Sequence, residues 1–361
     1  IQLNLKEFEK LKDKEELYKY VQDHYKKEYT NYVFVDEIQL CKDFEVIINS
    51  LHEEEKFDIY LTGSNAFLLS SDLATLFGGR VFDISMFPFS FEEYNLYYPS
   101  NDIDKSFDNY VVEGGMAGSY LYKNKSDGVN YVRNILRTTI TKDIVQKYKI
   151  ENESLLIMIE DFLMDNIGSK TSIRNVANKL TSNSYKTNDK TVGSYIEYLC
   201  KSFLFYPMKR YDIKGKAYIE TPKKYYFSDL GLRNARINFR QFEQTHSMEN
   251  VIYNELRMRG YSVDVGVVPI AEKDKDGKVV RKALEVDFVC NLGSARYYIQ
   301  SAYSLPDEAK RNQEIRPFRK IDDSFKKIVV TKDIVPTHYD ENGILTVNIY
   351  EFLLNPGSIE G

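Results

Sequence analysis

Apolar and polar positions along the first 86 residues alternate between two periods. "IQLNL" at the start alternates like a short strand, and residues 6–28 carry Leu11, Leu17, Tyr18, Val21 and Tyr25 at helical spacing among charged residues. Apolar runs at 32–36, "FDIYLTGS" (57–64) and "RVFDISM" (80–86) predict strands, and 42–53 and 66–77 predict helices between them. Strands separated by helix-length segments predict a parallel α/β sheet. "FPFSFEEY" (87–94) breaks this rhythm, and the pattern is helical to about 165, with a turn at "EGGMAG" (113–118). Three helical segments fill 155–205. Two strands follow around Lys214-Gly215-Lys216, which predicts a winged helix-turn-helix. A helix at 248–259 and strands at 262–268, 284–290, 296–302 and 326–331 predict a further α/β domain.

The chain has 361 residues, 43% hydrophobic and 29% charged, enough for several cores. A net charge of -5 implies no whole-chain attraction to nucleic acid, so any such contact rests on a local basic surface. Cys41, Cys200 and Cys290 are far apart; no metal spacing arises, and the sparse odd count fits a reducing cytoplasm. No apolar run reaches the ~18 residues of a membrane span, so no membrane partner is expected. The closing "GSIEG" (357–361) reads as a linker scar outside the fold.

Candidate chemistry begins at "YVFVDEIQL" (32–40), where a strand ends in two acids. Asp36 suits Mg²⁺, which takes hard oxygen ligands, and Glu37 suits orienting or deprotonating a water; a solvated strand end is the alternative. "YLTGSNA" (60–66) sets Thr62, Ser64 and Asn65 at the carboxyl end of the next strand, where open α/β sheets bind ligands. In "LFGGR" (76–80), Gly78-Gly79 precedes Arg80, a guanidinium able to reach phosphate, or else a surface arginine.

These segments, in this order and spacing, resemble the AAA+ superfamily, and specifically prokaryotic ATPases with a C-terminal endonuclease-like domain. "GGMAG" (114–118), "TKDIVQKY" (141–148), "YYFSDLGLRNA" (225–235) and "MENVIYNELRMRGY" (248–261) match as well. The resemblance implies Asp36 and Glu37 as the Walker B pair, Asn65 as sensor 1, Arg80 as an arginine finger acting within or across subunits of a homo-oligomer, and ATP with Mg²⁺ as cofactors. It also implies an α/β multidomain architecture. A truncated AAA+ core (1–86) is followed by a helical lid (87–150), a winged helix (151–236) and a restriction-endonuclease-like domain (237–356). A P-loop needs Gly-x-x-x-x-Gly-Lys-Ser/Thr between strand and helix. The nearest approach, "NIGSKTS" (166–172), has Ser169 between Gly168 and Lys170 and reads as a helix cap. The family's loop lies upstream of the segment matched by "IQLNL", so a fragment, or a homologue lacking the loop, is expected; Ile1 in place of Met favours the fragment. As written, the chain is expected to bind ATP weakly.

Near the C-terminus, "EVDFV" (285–289) and "YYIQSAYS" (297–304) predict a hairpin that brings Asp287 near Gln300, with Glu249 approaching from the preceding helix. This order resembles the PD-(D/E)xK nuclease fold, in which acids hold Mg²⁺ and a lysine polarises water or phosphate. Here the acid-x-lysine position reads Tyr298-Ile299-Gln300, so the fold is expected and cleavage is not; Asp287 remains the candidate metal ligand. A double-stranded DNA partner is suggested by Lys186, Lys190, Thr191, Ser194 and Tyr195 on the N-terminal half of a recognition helix. Lys209, Arg210, Lys214, Lys216, Lys223 and Lys224 on the wing would add to that surface. The leading expectation is an ATPase coupled to DNA contact and a degenerate nuclease-like domain. The alternatives are a DNA-binding or assembly protein with a vestigial nucleotide site, and a Mg²⁺-dependent nuclease.

Overall fold

In the computed structural model, which describes residues 1–63, 77–183, 185–240, 243–273 and 277–360, the first apolar alternation becomes a small parallel sheet. Helix α1 (Lys14–Asp23) starts where the Asp13 side chain accepts from the Glu15 and Glu16 amides. That cap splits the helix expected over 6–28: Lys6–Lys12 is instead a 3₁₀ stretch. Strand β1 (Asn31–Val35) and strand β2 (Phe57–Leu61) pair in parallel, joined by helix α2 (Phe44–Glu53). Val33 and Val35 are buried, as are Phe44, Ile47, Ile48 and Leu51 at helical spacing on α2. The strand expected to be buried is thus buried on one face. Tyr32, Phe34 and Tyr60 stand on the other, exposed and ring against ring, with centroids 4.9 Å apart for Phe34 and Tyr60.

Two expected strands do not form. "IQLNL" contributes a single parallel bridge, Gln2 to Asp36, with Leu3 buried beneath it. Residues 80–86 have the alternation of a strand but no pairing partner among the described residues, and Phe82, Ile84 and Met86 are exposed. Period alone does not make a strand; a free edge must be there to receive its hydrogen bonds. The helix expected over 66–77 lies almost wholly outside the described residues.

The first compact unit ends at Met86, and the second runs from Phe87 to the end of the chain. The second opens with helices α3 (Phe91–Tyr97), α4 (Ile103–Glu113) and α5 (Lys125–Thr138), the first started by a reciprocal Ser90–Glu93 capping box. Helices α6 (Glu153–Asp165), α7 (Ile173–Ser182) and α8 (Asp189–Lys201) lead into strands β3 (Phe205–Asp212) and β4 (Ala217–Phe227). Helices α9 (Leu230–Arg236) and α10 (Gln244–Met258) follow. After them come strands β5 (Ser262–Lys273), β6 (Val279–Leu292) and β7 (Ala295–Ala302), helix α11 (Glu308–Ile315), strands β8 (Lys326–Thr331), β9 (His338–Tyr339) and β10 (Leu345–Asn348), and helix α12 (Ile349–Leu354).

The hairpin expected as a wing is not a separate appendage. Strand β3 pairs in parallel with β5, so one sheet runs β4-β3-β5-β6-β7-β8-β10-β9. The expected boundary at 236/237 therefore cuts through a continuous sheet. That sheet is covered on both faces: Phe288, Ile299 and Val330 belong to one apolar cluster, and Val289, Tyr298 and Val329 to another. Nor is the C-terminus a scar outside the fold, because Pro356–Ile359 forms a 3₁₀ turn and Ile359 is fully buried.

Two glycines of "GGMAG" are required by close approach. Gly114 has φ +76, and a Cβ there would collide with the Asp229 carboxylate. At Gly115 it would collide with the Phe89 carbonyl oxygen. Asp229 accepts from the Gly115 amide and, at 2.8 Å, from the Leu232 amide, so it ties the start of α9 to this turn. Burial pushes its carboxyl up to about 6, against the lowering effect of those N–H donors.

Candidate functional site

At the carboxyl end of β1 the two acids occupy different backbone states. Asp36 continues the strand and is half-buried, while Glu37 turns into the left-handed region at φ 57 and starts a short 3₁₀ turn. The pairing with β2 extends one step further, because Thr62 donates its amide to Val35 O at 2.9 Å and Ile38 donates to Thr62 O at 3.1 Å. This sets the Thr62 hydroxyl to donate to Asp36 Oδ1. Gln39 donates its side-chain amide to the Glu37 carboxylate. Two carboxylates and a hydroxyl thus gather at the strand end where α/β sheets bind ligands. Asp36 is a hard oxygen donor of the kind Mg²⁺ takes, and the Glu37 carboxylate stands one residue further on. Arg80 is exposed and ion-paired with Glu53 at the end of α2. Asn65 lies outside the described residues.

The second unit gathers a denser polar cluster. Strand β4 is buried over Lys224–Phe227, and its outer edge faces no other strand of the sheet. The loop "NIGSKTS" covers that edge: Thr171 and Lys223 exchange backbone hydrogen bonds at 2.7 and 3.0 Å, and Gly168 donates to Tyr225 O at 3.0 Å. The loop caps α7 through Ser172 and seals an edge strand. Helix α10 is clamped to the same strand, since Asn250 both donates to Phe227 O and accepts from Phe227 N at 2.8 Å. Its neighbour Glu249 then faces β4 and accepts from the Tyr226 hydroxyl at 2.5 Å.

Lys224 closes the cluster. Its Nζ lies 2.8 Å from Glu249 Oε1, 2.9 Å from Glu285 Oε1 and 3.8 Å from Asp287 Oδ1, and its side chain is 5% exposed. Lys170, from the covering loop, reaches Glu285 Oε2 at 2.7 Å. Asp287 Oδ2 accepts from the Ser301 amide at 2.9 Å. Gln300 does lie beside Asp287, but its carboxamide oxygen accepts from the Asp287 amide at 3.3 Å. Tyr298 points elsewhere, into an apolar cluster, with its hydroxyl donating to Asp323 at 2.6 Å.

The electrostatics follow from burial among like charges. Burial alone would lower the Lys224 ammonium, but the charges of Glu249, Asp287 and Glu285 outweigh it and hold it above its usual value. Burial, then the Glu249 charge, push the Asp287 carboxyl up to about 8, against Lys224 and the Ser301 amide. Glu285 is held low despite burial by Lys224 and Lys170. Among the described residues no group of three or more His, Cys, Asp or Glu is disposed to hold a metal ion: in this cluster the ammonium stands among the three acids.

Sequence reasoning brings Glu249, Asp287 and Gln300 together and misses Lys224, Glu285, Lys170 and Tyr226. Glu285 is legible, because Glu285 and Asp287 alternate on β6 and share a face. Lys224, expected as a wing lysine open to DNA, is instead buried. Tyr195 is likewise corrected: it points into the core of the helical region at 9% exposure, as the i+3 companion of buried Val192. Lys186, Lys190, Lys209, Lys214 and Lys216 are exposed, Thr191, Ser194, Arg210 and Lys223 half-buried, and Lys209 lies over the Tyr218 ring at 5.7 Å.

Residues 1–95 match the family model described as "AAA domain", and residues 104–243 match a domain of unknown function (DUF8612). An "Uncharacterized protein" of Haemophilus influenzae is 33% identical over 328 residues, 90% of this chain and 77% of that one. "Uncharacterized protein MJ1544" of Methanocaldococcus jannaschii is 25% identical over 338 residues, 90% of this chain and 73% of its own. The crystal structure of protein VC1899 from Vibrio cholerae aligns over 92% of this chain and 91% of that one at 10% identity. Its TM-score of 0.23 is too low to carry a structural argument. No described helix is long and apolar enough to cross a membrane.

Proposed function

The chain belongs to the family of the Haemophilus influenzae relative, and from that premise we propose that its AAA-type nucleotide-binding domain hydrolyses ATP and that this turnover is coupled to duplex DNA held by the second unit. One observation carries the reading: within the AAA-domain match, Asp36 and Glu37 stand at the carboxyl end of β1, with the β2 residue Thr62 bonded to Asp36. Asp36 would hold Mg²⁺ and Glu37 would orient water. The bound Mg²⁺ would supply charge neutralisation at the phosphates. Arg80, turned outward and held by Glu53, is available to a phosphate on a second copy only after that pair parts. Asn65 retains its proposed part near the γ-phosphate.

The DNA reading rests on Lys186, Lys190, Lys214 and Lys216, which are exposed on α8's approach and on the β3–β4 turn. The carboxylate cluster of Glu249, Glu285 and Asp287 has the residue types of a metal nuclease, but its lysine is spent on the carboxylates themselves, which favours a non-cleaving role. Titration of the full-length protein with a fluorescent ATP analogue tests the nucleotide reading. Binding that requires Mg²⁺ and is lost in Asp36→Asn is expected; Mg²⁺-independent binding unaffected by Asp36→Asn would overturn it.

A further inference from the structure

In metal-dependent phosphoryl chemistry, carboxylates from two elements converge because a divalent cation neutralises them. Here Glu249 from α10 and Glu285 and Asp287 from β6 converge on the Lys224 ammonium instead. We propose that Lys224 is a tethered replacement for a divalent cation: it excludes metal ions from the Glu249–Glu285–Asp287 cluster, and without it the cluster takes one. This deepens the reading of the cluster as non-cleaving. It rests on the second unit alone, so its outcome is independent of whether Asp36 and Glu37 turn over ATP.

Three features carry the inference. The first is charge. With all three acids ionised, the form that would bind a cation, Lys224 and Lys170 would leave one formal negative charge in a buried site. Removing Lys224 leaves two, the charge a divalent cation cancels. The second is that the acids are oriented by groups other than the lysine. Tyr226 donates to Glu249, and the Ser301 amide donates to Asp287. Such outer partners fix metal ligands in metalloproteins, and they survive the loss of Lys224. The third is size. Ammonium distances of 2.8 and 2.9 Å are longer than metal–oxygen bonds of roughly 2.0–2.6 Å. Glu249 and Glu285 would have to close by several tenths of an ångström and Asp287, 3.8 Å from the ammonium, by more than about 1 Å, which these side chains can do around a metal ion but not around an ammonium.

The test uses the full chain in an Asp36→Asn background, which removes the first unit's candidate metal ligand, and Mn²⁺ as the probe, followed by electron paramagnetic resonance and thermal melting. With Lys224 present, Mn²⁺ binding is expected to be the same with and without Asp287→Asn. Lys224→Ala is expected to gain one bound Mn²⁺ per chain, with a melting temperature raised by the metal, and to lose both when Asp287→Asn is added. Lys224→Gln, whose amide can still bond the acids, guards against a folding failure. Mn²⁺ binding that needs Asp287 while Lys224 is present would overturn the proposal. So would folded Lys224 variants that gain no Mn²⁺, or variants that stay unfolded at saturating Mn²⁺.

Discussion

Replacing Lys224 with methionine keeps most of its volume and removes its charge. Glu249, Glu285 and Asp287 are then left, among the described residues, with Lys170 as the one cation in reach, and Lys170 pairs there with Glu285. Breaking a buried ion pair by removing one partner costs about 3–5 kcal/mol, because the remaining charge is desolvated without compensation. For the second unit, residues 87–361, that is a fall of roughly 5–9 °C in its melting temperature. The deficit should depend on pH in a definite direction. In the parent, the raised Lys224 contributes stability that is fully present below its unfolded value and is lost only as pH rises through the folded one. In the variant the acids have lost their main cation, so the folded values rise, that of Asp287 from an already raised one, and protonation relieves the acids as pH falls. The gap between parent and variant should therefore narrow on going from alkaline to mildly acidic pH. Differential scanning calorimetry across that range measures it, read on the transition that the substitution moves. A deficit below about 1 kcal/mol, typical of an exposed pair, or one that does not change with pH, would refute the cage as the organising interaction.

Gly115→Ala should cost about 1–3 kcal/mol or more, since the new methyl meets the Phe89 backbone carbonyl and that segment has to shift; urea denaturation reads it. Ile359→Ala should cost about 2–4 kcal/mol in the same assay, whereas an unpacked tail would show no change. For DNA, Lys214→Ala with Lys216→Ala should weaken duplex binding uniformly across sequences and reduce the log–log salt slope by about 1 for each phosphate left without its lysine. Tyr195→Ala should act through stability instead, leaving the salt slope of the folded protein unchanged.

Much of this architecture is legible in the sequence because it is local. The parallel pairing of β1 with β2 follows from two apolar runs around a helix, and the position of Asp36 and Glu37 follows from where the first run stops. The β6–β7 hairpin is legible from its Gly293 turn, which takes φ +57, and that turn sets Gln300 beside Asp287. What cannot be read is set by distant pairing. Lys224 sits in a stretch of lysines and aromatics that looks like a basic wing; the packing of α10 on β4, through Asn250 and Phe227, brings Glu249 to it. "IGSKTS" looks like a phosphate loop gone wrong, and its use as an edge cover depends on β4 lying beside it. Tyr195 and Ile359 mislead for the same reason, since an amphipathic face or a short tail is buried only if something packs on it. Residues 80–86 show the converse, an alternating pattern without a pairing edge.

The central claim, that Asp36 and Glu37 form the hydrolytic half of an ATP site, is tested most directly by single-turnover hydrolysis of ATP with Mg²⁺ by the full-length protein and its Glu37→Gln variant. Both proteins are expected to bind the nucleotide, and the variant to hydrolyse it slower by a factor on the order of 10²–10⁴, the usual contribution of a positioned base. Equal hydrolysis rates for the two proteins, or tight Mg²⁺–ATP binding with no hydrolysis by the parent, would contradict it.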